Sequence, residues 1–282
     1  MCTTKTHSIA EVGEMRSGGQ GHGLGSRSFP RELSLPSTRS PLVTPHLPPT
    51  PLFLSSAMGI FSKFVKTTVA GSIASVGVFW GATRNDIFET MDSSDPIFQS
   101  AFFKKFNPSN NPTLHDLCVR RIPLDKIQPP LIEEKGKLVE AFCAGVWGGM
   151  GYIPQRAILE RKYRGPETAD HLWDRSDLLS NKYEVGTIVT DHFEVVEKTE
   201  DRIVVRCGDS PRIREVRPSD GLFEIAAVIK RDQGVAEFSL KSCFYQGLGK
   251  AEGAPMDEKT AWAHRQYTKL LLETAVLKKC IK

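Results

Sequence analysis

The chain has 282 residues, enough for one domain with a real core plus extra segments, or for two small domains. Hydrophobic residues make up 40% and charged residues 25%, as in ordinary globular proteins. A net charge of +4, with no long basic run and no zinc-finger or RNA-binding signature, gives no footing for a nucleic-acid partner, and none is expected.

Residues 1–57 contain Gly-rich and Pro-rich stretches (GGQGHGLG, STRSPLVTPHLPPTP) and no sustained apolar period. Such a segment cannot bury a core, so it is expected to be disordered. A transit peptide fits its arginines and serines but not Glu11, Glu14 and Glu32. A true start at Met58 and a plain disordered tail fit equally well. An apolar helix is expected over 58–88. Within it, 67–83 (TTVAGSIASVGVFWGAT) is uncharged, preceded by Lys63 and Lys66 and followed by Arg84. The run approaches the length of a membrane span, but its Gly, Ser and Thr make insertion marginal. Gly77 and Gly81 have the GxxxG spacing that lets helices approach in lipid. Weak membrane association through residues 60–84 and a core-packing helix both remain open. Residues 89–111, with DSSDP and NPSNNP, read as a linker.

From 112 to 282 the pattern is that of one ligand-binding domain. A strand-like run covers 114–127 and stops at QPP. Helical period follows over 133–144, with Leu138, Val139 and Phe142 on one face. Gly145, Gly148, Gly149 and Gly151 either bend that helix or let a ligand or another backbone come close. Short helices are expected over 154–163 and 168–179. The period then changes to two. Over 187–196, Val189, Asp191, Phe193 and Val195 share one face, with Thr190, His192 and Glu194 on the other. Residues 203–207 form a short strand after the acidic turn EKTED. Residues 222–229 are almost continuously apolar, so both faces should be covered. Residues 235–245 form a long strand with Phe238, Leu240 and Phe244 on a common face. A helix over 257–279 carries Ala263, Tyr267, Leu270 and Thr274 on one stripe, and His264, Leu271 and Ala275 beside it. The fold class is α+β: a curved antiparallel sheet around a long C-terminal helix, with a cavity between them.

Cys2, Cys118, Cys143, Cys207, Cys243 and Cys280 are scattered, with no CxxC pair. Asn107 and Asn111 precede prolines, which blocks glycosylation. Reduced thiols and an intracellular location follow, cytoplasmic or at an organelle membrane, the mitochondrial one included.

The tract from His115 to Lys279 resembles the helix-grip superfamily, also called START-like or polyketide-cyclase-like. The residues that carry the likeness are EVGTIVTDHFEVVEK, IVVRCGDSPR, DGLFEIAAVIK and WAHRQYTKLL. FNPSNNPTLHDLCVRRIPL looks like the openings of fungal natural-product cluster proteins. The resemblance implies a cofactor-free cyclase or isomerase, including enzymes of the intramolecular Diels–Alder (norbornene-forming) type.

Four residues are candidates for chemistry. Glu224 is the one carboxylate in an apolar strand, so it is either paired or functional. Asp191 shares the face of Phe193, where an apolar cavity would raise its pKa; a backbone amide or water would serve it equally. Tyr245 and Tyr267 can donate to a carbonyl or satisfy their hydroxyls in the core. Substrate contacts are expected from Trp147, Trp173, Phe193, Phe238 and His264, against the alternative of plain core packing. Arg206 and Arg212, in the RCGDSPR cluster, either grip an anionic substrate group or form local salt bridges. Cys207 reads as a buried small residue. No metal is expected: His115, Asp116 and His171 lack ligand spacing, and HExxH is absent. No P-loop or dinucleotide loop is present, so no cofactor is expected. The resemblance implies a small apolar metabolite as the partner: a polyene, terpenoid or polyketide. The alternatives are a lipid or quinone carrier and a mitochondrial membrane assembly factor with a filled core.

Overall fold

The computed structural model describes residues 76–282. The expectations for residues 1–57, and for most of the apolar run that follows, lie outside the described residues. Residues 76–82 are helical. No helix among the described residues is long and apolar enough to cross a membrane.

Among the described residues, seven antiparallel strands form one open sheet: β1 (Ile87–Glu89), β2 (Thr113–Pro123), β3 (Ile188–Val189), β4 (Phe193–Lys198), β5 (Arg202–Cys207), β6 (Asp220–Lys230) and β7 (Val235–Tyr245). Their spatial order is β1-β2-β7-β6-β5-β4-β3. The long strands β2 and β7 pair along their whole length, from Thr113 opposite Tyr245 to Pro123 opposite Val235. The expected strand over 114–127 therefore stops at Pro123, and a 3-10 turn (Leu124–Lys126) follows. Proline has no N–H to continue the ladder.

Between β2 and β3 the chain is helical: α3 (Pro129–Glu133), α4 (Lys137–Gly148), α5 (Ile153–Tyr163) and α6 (Arg175–Ser180). The last helix, α7 (Glu258–Lys279), starts at Asp257, whose carboxylate accepts from the amides of Lys259 and Thr260. It ends with Lys278 and Lys279 in its last turn, the charge its dipole favours. α4 and α7 lie against each other on one face of the sheet. Gly145 makes that approach possible. A Cβ there would meet the Ala275 carbonyl oxygen at 2.5 Å and its Cα at 2.9 Å. At Gly151 a Cβ would meet Thr274 Oγ1 at 2.6 Å. The glycines serve a close backbone approach, and α4 runs on through Gly145 to Gly148 instead of ending at 144.

The alternation along the strands sorts the residues into two layers. Ile203, Val205, Phe223, Ile225, Phe238 and Leu240 face α4 and α7 in the main core. Val204, Leu222, Cys243 and Tyr245 face the opposite way. That outer face is covered by residues expected to be a linker. α1 (Pro96–Gln99) and α2 (Ala101–Phe106) bury Ile97, Phe103 and Phe106 against it. Each such side chain contributes roughly 2 kcal/mol by leaving water. Three apolar contacts separated by turn residues leave no period to read, so composition alone suggests a linker. β6 is thus covered on both sides, as its continuous apolarity requires.

Residues 187–196 also depart from a single strand. Thr190 and Asp191 have φ of 51° and 49°. These left-handed conformations turn the chain between β3 and β4 and break the alternation there.

Candidate functional site

Toward the N-terminal half of α7, the two layers part. A cavity of about 570 Å³ opens between that helix, α5 and the inner face of β4–β7. Its wall is mostly apolar: Trp147 from α4, Ile158 and Leu159 from α5, Phe193, Phe223 and Phe244 from the sheet, and Leu271 from α7. Trp147 fills one end, tilted against Phe193 with ring centroids 4.6 Å apart and edge-on to Tyr152 at 5.0 Å. Few polar groups interrupt this wall.

Tyr267 and Gln155 form one polar pair. The Tyr267 hydroxyl donates to Gln155 Oε1 at 2.9 Å. Burial raises the phenol pKa, so it holds its proton. With its oxygen engaged, Gln155 has its amide N–H groups left to offer. His192 also lines the cavity, and burial lowers its pKa below the usual imidazole value. It is therefore neutral near pH 7, with one donor and one acceptor nitrogen. His264 forms the third polar point. Its Nε2 lies 3.2 Å from Ser242 Oγ, 3.3 Å from Asp116 Oδ2 and 3.4 Å from Thr268 Oγ1. Asp116 and Ser242 are directly opposed in the β2–β7 register, so both aim at the same helix position. The Cys207 thiol lines the cavity too, but burial pushes its pKa up, which removes it as a nucleophile.

Of the residues expected at the site, Trp147, Phe193, Tyr267 and His264 meet around this cavity. The others are placed elsewhere. Glu224 and Tyr245 lie on the outer face. Glu224 pairs with Lys241 at 3.1 Å, and Lys241 reaches Asp95 at 3.0 Å. The Tyr245 ring packs edge-on against Phe103 at 5.3 Å. Arg206 also points outward. It grips Asp220 through Nε at 3.0 Å and Nη2 at 2.6 Å, and stacks over Phe106 at 3.5 Å. Asp191 is fully buried in the β3–β4 turn, accepting from Ser210 Oγ at 2.9 Å and Arg212 Nη2 at 3.1 Å. Arg212 is half-exposed and also binds Glu167 at 2.7 Å. Trp173 donates to the Thr168 carbonyl at 2.7 Å, away from the main cavity. Phe238 is fully buried and packs on Phe142 at 5.1 Å.

Gln155 and His192 line the cavity, and Asp116 and Ser242 stand behind it against His264, without any of the four carrying a signal of this in the sequence. Parity puts Ser242 on the common face of Phe238, Leu240 and Phe244 but does not mark that face as the cavity's. His192 was set on the opposite face from Phe193 because the turn at Thr190–Asp191 leaves no trace in alternation. Asp116 and Gln155 reach the site only through tertiary packing. Among known proteins, the chain matches no family model, no curated protein and no solved structure.

Proposed function

We propose that this chain is a cofactor-independent cyclase or isomerase of helix-grip type, acting on an apolar polyene, terpenoid or polyketide. The observation that carries the reading is the cavity of about 570 Å³, apolar over most of its wall and supplied with three separate polar points. A core without function fills such a space with side chains. Two features support the helix-grip assignment. The chain order is long strand, helices, antiparallel meander and long helix, and the last strand β7 lies beside the first long strand β2. The fungal natural-product setting rests on the sequence resemblance alone.

An intramolecular rearrangement consumes no co-reactant. Its demands are a folded substrate conformer and help where charge develops. Confining a flexible chain in a reactive conformer can contribute several kcal/mol. Phe193, Phe223 and Leu271 supply the wall for this, and Gln155 and His192 supply donors for a carbonyl oxygen. A lipid or quinone carrier would share the apolar wall and could use the same donors, and conversion of the bound molecule is what separates the two readings.

The test is native mass spectrometry of the full chain after incubation with an apolar extract of its source organism. A bound molecule that leaves as an isomer of equal mass, separated from its precursor by chromatography of the released ligand, supports the reading. A molecule released unchanged makes the protein a carrier. No ligand in the protein, and no difference from a Leu271→Trp form with its cavity filled, refutes both.

A further inference from the structure

We infer that His264 is the proton-transferring base of this cavity, positioned by Asp116, and that the ligand is a carbonyl compound with an acidic C–H beside the carbonyl. The inference deepens the cyclase or isomerase reading and rests on it.

His264 stands on α7, lines the cavity and turns one ring edge to the sheet. All of its contacts to Asp116, Ser242 and Thr268 run through Nε2. A carboxylate 3.3 Å away holds the imidazole proton on that nitrogen. Nδ1 then carries the lone pair, and it has no hydrogen-bond partner among the described residues. Orientation of a base through its far nitrogen is the arrangement that general-base catalysis requires.

Asp116 supplies the second observation. Its side chain is 5% exposed, and its Oδ1 is buried with no hydrogen-bond donor. A buried carboxylate left in this state is costly. Positive charge that develops on the ring during proton transfer faces this carboxylate at 3.3 Å. Ser242 and Thr268 hold the ring at 3.2 Å and 3.4 Å and keep its edge toward Asp116.

The step balances within the substrate. The C–H bond next to the carbonyl breaks, and its proton passes to Nδ1 of His264. The electron pair of that bond moves into a new C=C bond as the carbonyl becomes an enolate oxygen. Gln155 or His192 donates a hydrogen bond to that oxygen. The imidazolium returns the proton to a different carbon of the conjugated chain. The product is an isomer, His264 is regenerated, and nothing else is consumed. A shifted diene of this kind is also the reactive partner for ring closure in the same cavity.

A test without knowledge of the natural substrate uses 2-naphthol, an aromatic enol, against naphthalene, its counterpart without the hydroxyl. Both are titrated into the full chain and its His264→Gln and Asp116→Asn forms, followed by fluorescence and by the naphtholate absorption band. The wild type is expected to bind naphthol roughly tenfold or more tightly than naphthalene, about 1.4 kcal/mol, and to show the naphtholate band. Both variants should lose the preference and the band while binding naphthalene as before. An unchanged preference in the two variants overturns the assignment and leaves the cavity reading standing. Loss of naphthalene binding in both shows a structural role and overturns it equally. If the wild type binds neither ligand, the proposed function itself fails.

Discussion

Replacing Asp86 by asparagine should change how the stability of this protein depends on pH. Asp86 follows the helical segment at 76–82, and its side chain is fully buried beside Arg120. Arg120 Nη1 is 3.6 Å from Asp86 Oδ1, and Nη2 is 3.6 Å from Glu273 Oε2. Two carboxylates thus share one cation, and neither oxygen of Asp86 accepts a hydrogen bond. Burial, and then repulsion from Glu273, push the Asp86 carboxyl from 3.8 to about 7, with Arg120 and Lys269 pulling the other way. Between those two pH values the folded chain holds a proton that the unfolded chain has released. Stability therefore falls as pH rises through the window, and the full loss is reached above about pH 7. The displacement corresponds to roughly 4 kcal/mol at 1.36 kcal/mol per pH unit. Solvent screening brings the expected effect to about 2 kcal/mol. Urea unfolding of the full chain and its Asp86→Asn form, at about pH 4 and about pH 8, measures it. The variant should gain about 2 kcal/mol on the wild type between the two conditions. A wild-type-to-variant difference that stays constant across the range refutes the reasoning.

Three further substitutions separate the fold from the cavity. Gly145→Ala drives a Cβ into the Ala275 backbone and should cost about 2–3 kcal/mol in urea unfolding; an unaffected midpoint would mean that α4 and α7 are free to separate. Glu224→Gln weakens the Lys241 pair on the outer face while Asp95 keeps its contact. It should cost about 1 kcal/mol and leave naphthalene affinity unchanged; a changed affinity would place Glu224 in contact with the ligand site. Arg206→Lys loses the two-pronged grip on Asp220 and the stacking on Phe106. A loss of about 3 kcal/mol is expected by thermal unfolding, and a loss under about 1 kcal/mol would count against a structural role.

Much of the fold was legible because its signals are local. Continuous apolarity in β6, alternation in β7 and the Asp257 cap of α7 each need only a short window of sequence, and the strands and helix lie within two residues of their expected bounds. The linker reading of 89–111 failed for the opposite reason. Ile97, Phe103 and Phe106 acquire meaning only against Leu222 and Tyr245, far along the chain. The same limit governs the site. Parity placed Tyr245 opposite to Phe244 and Glu224 opposite to Phe223, but parity does not say which face a cavity occupies. The search for a carboxylate in apolar surroundings led to Glu224, whereas Asp116, in a strand of mixed polarity, is the carboxylate that reaches the cavity-lining helix. His264 and Tyr267 were found because helical period alone puts them on the stripes that face the sheet.

The contact at Gly145 and Gly151 has one more implication. It locks the C-terminal half of α7 to α4 at backbone distance, and the cavity begins where that contact ends, at Leu271, Thr268, Tyr267 and His264. The scaffold's spacing and the chamber's shape are therefore governed by different residues. Exchanges at Leu271 and Tyr267 can remould what the chamber accepts while His264 and the locked half stay as they are. A lineage that inherits this architecture can drift among ligands without first having to refold.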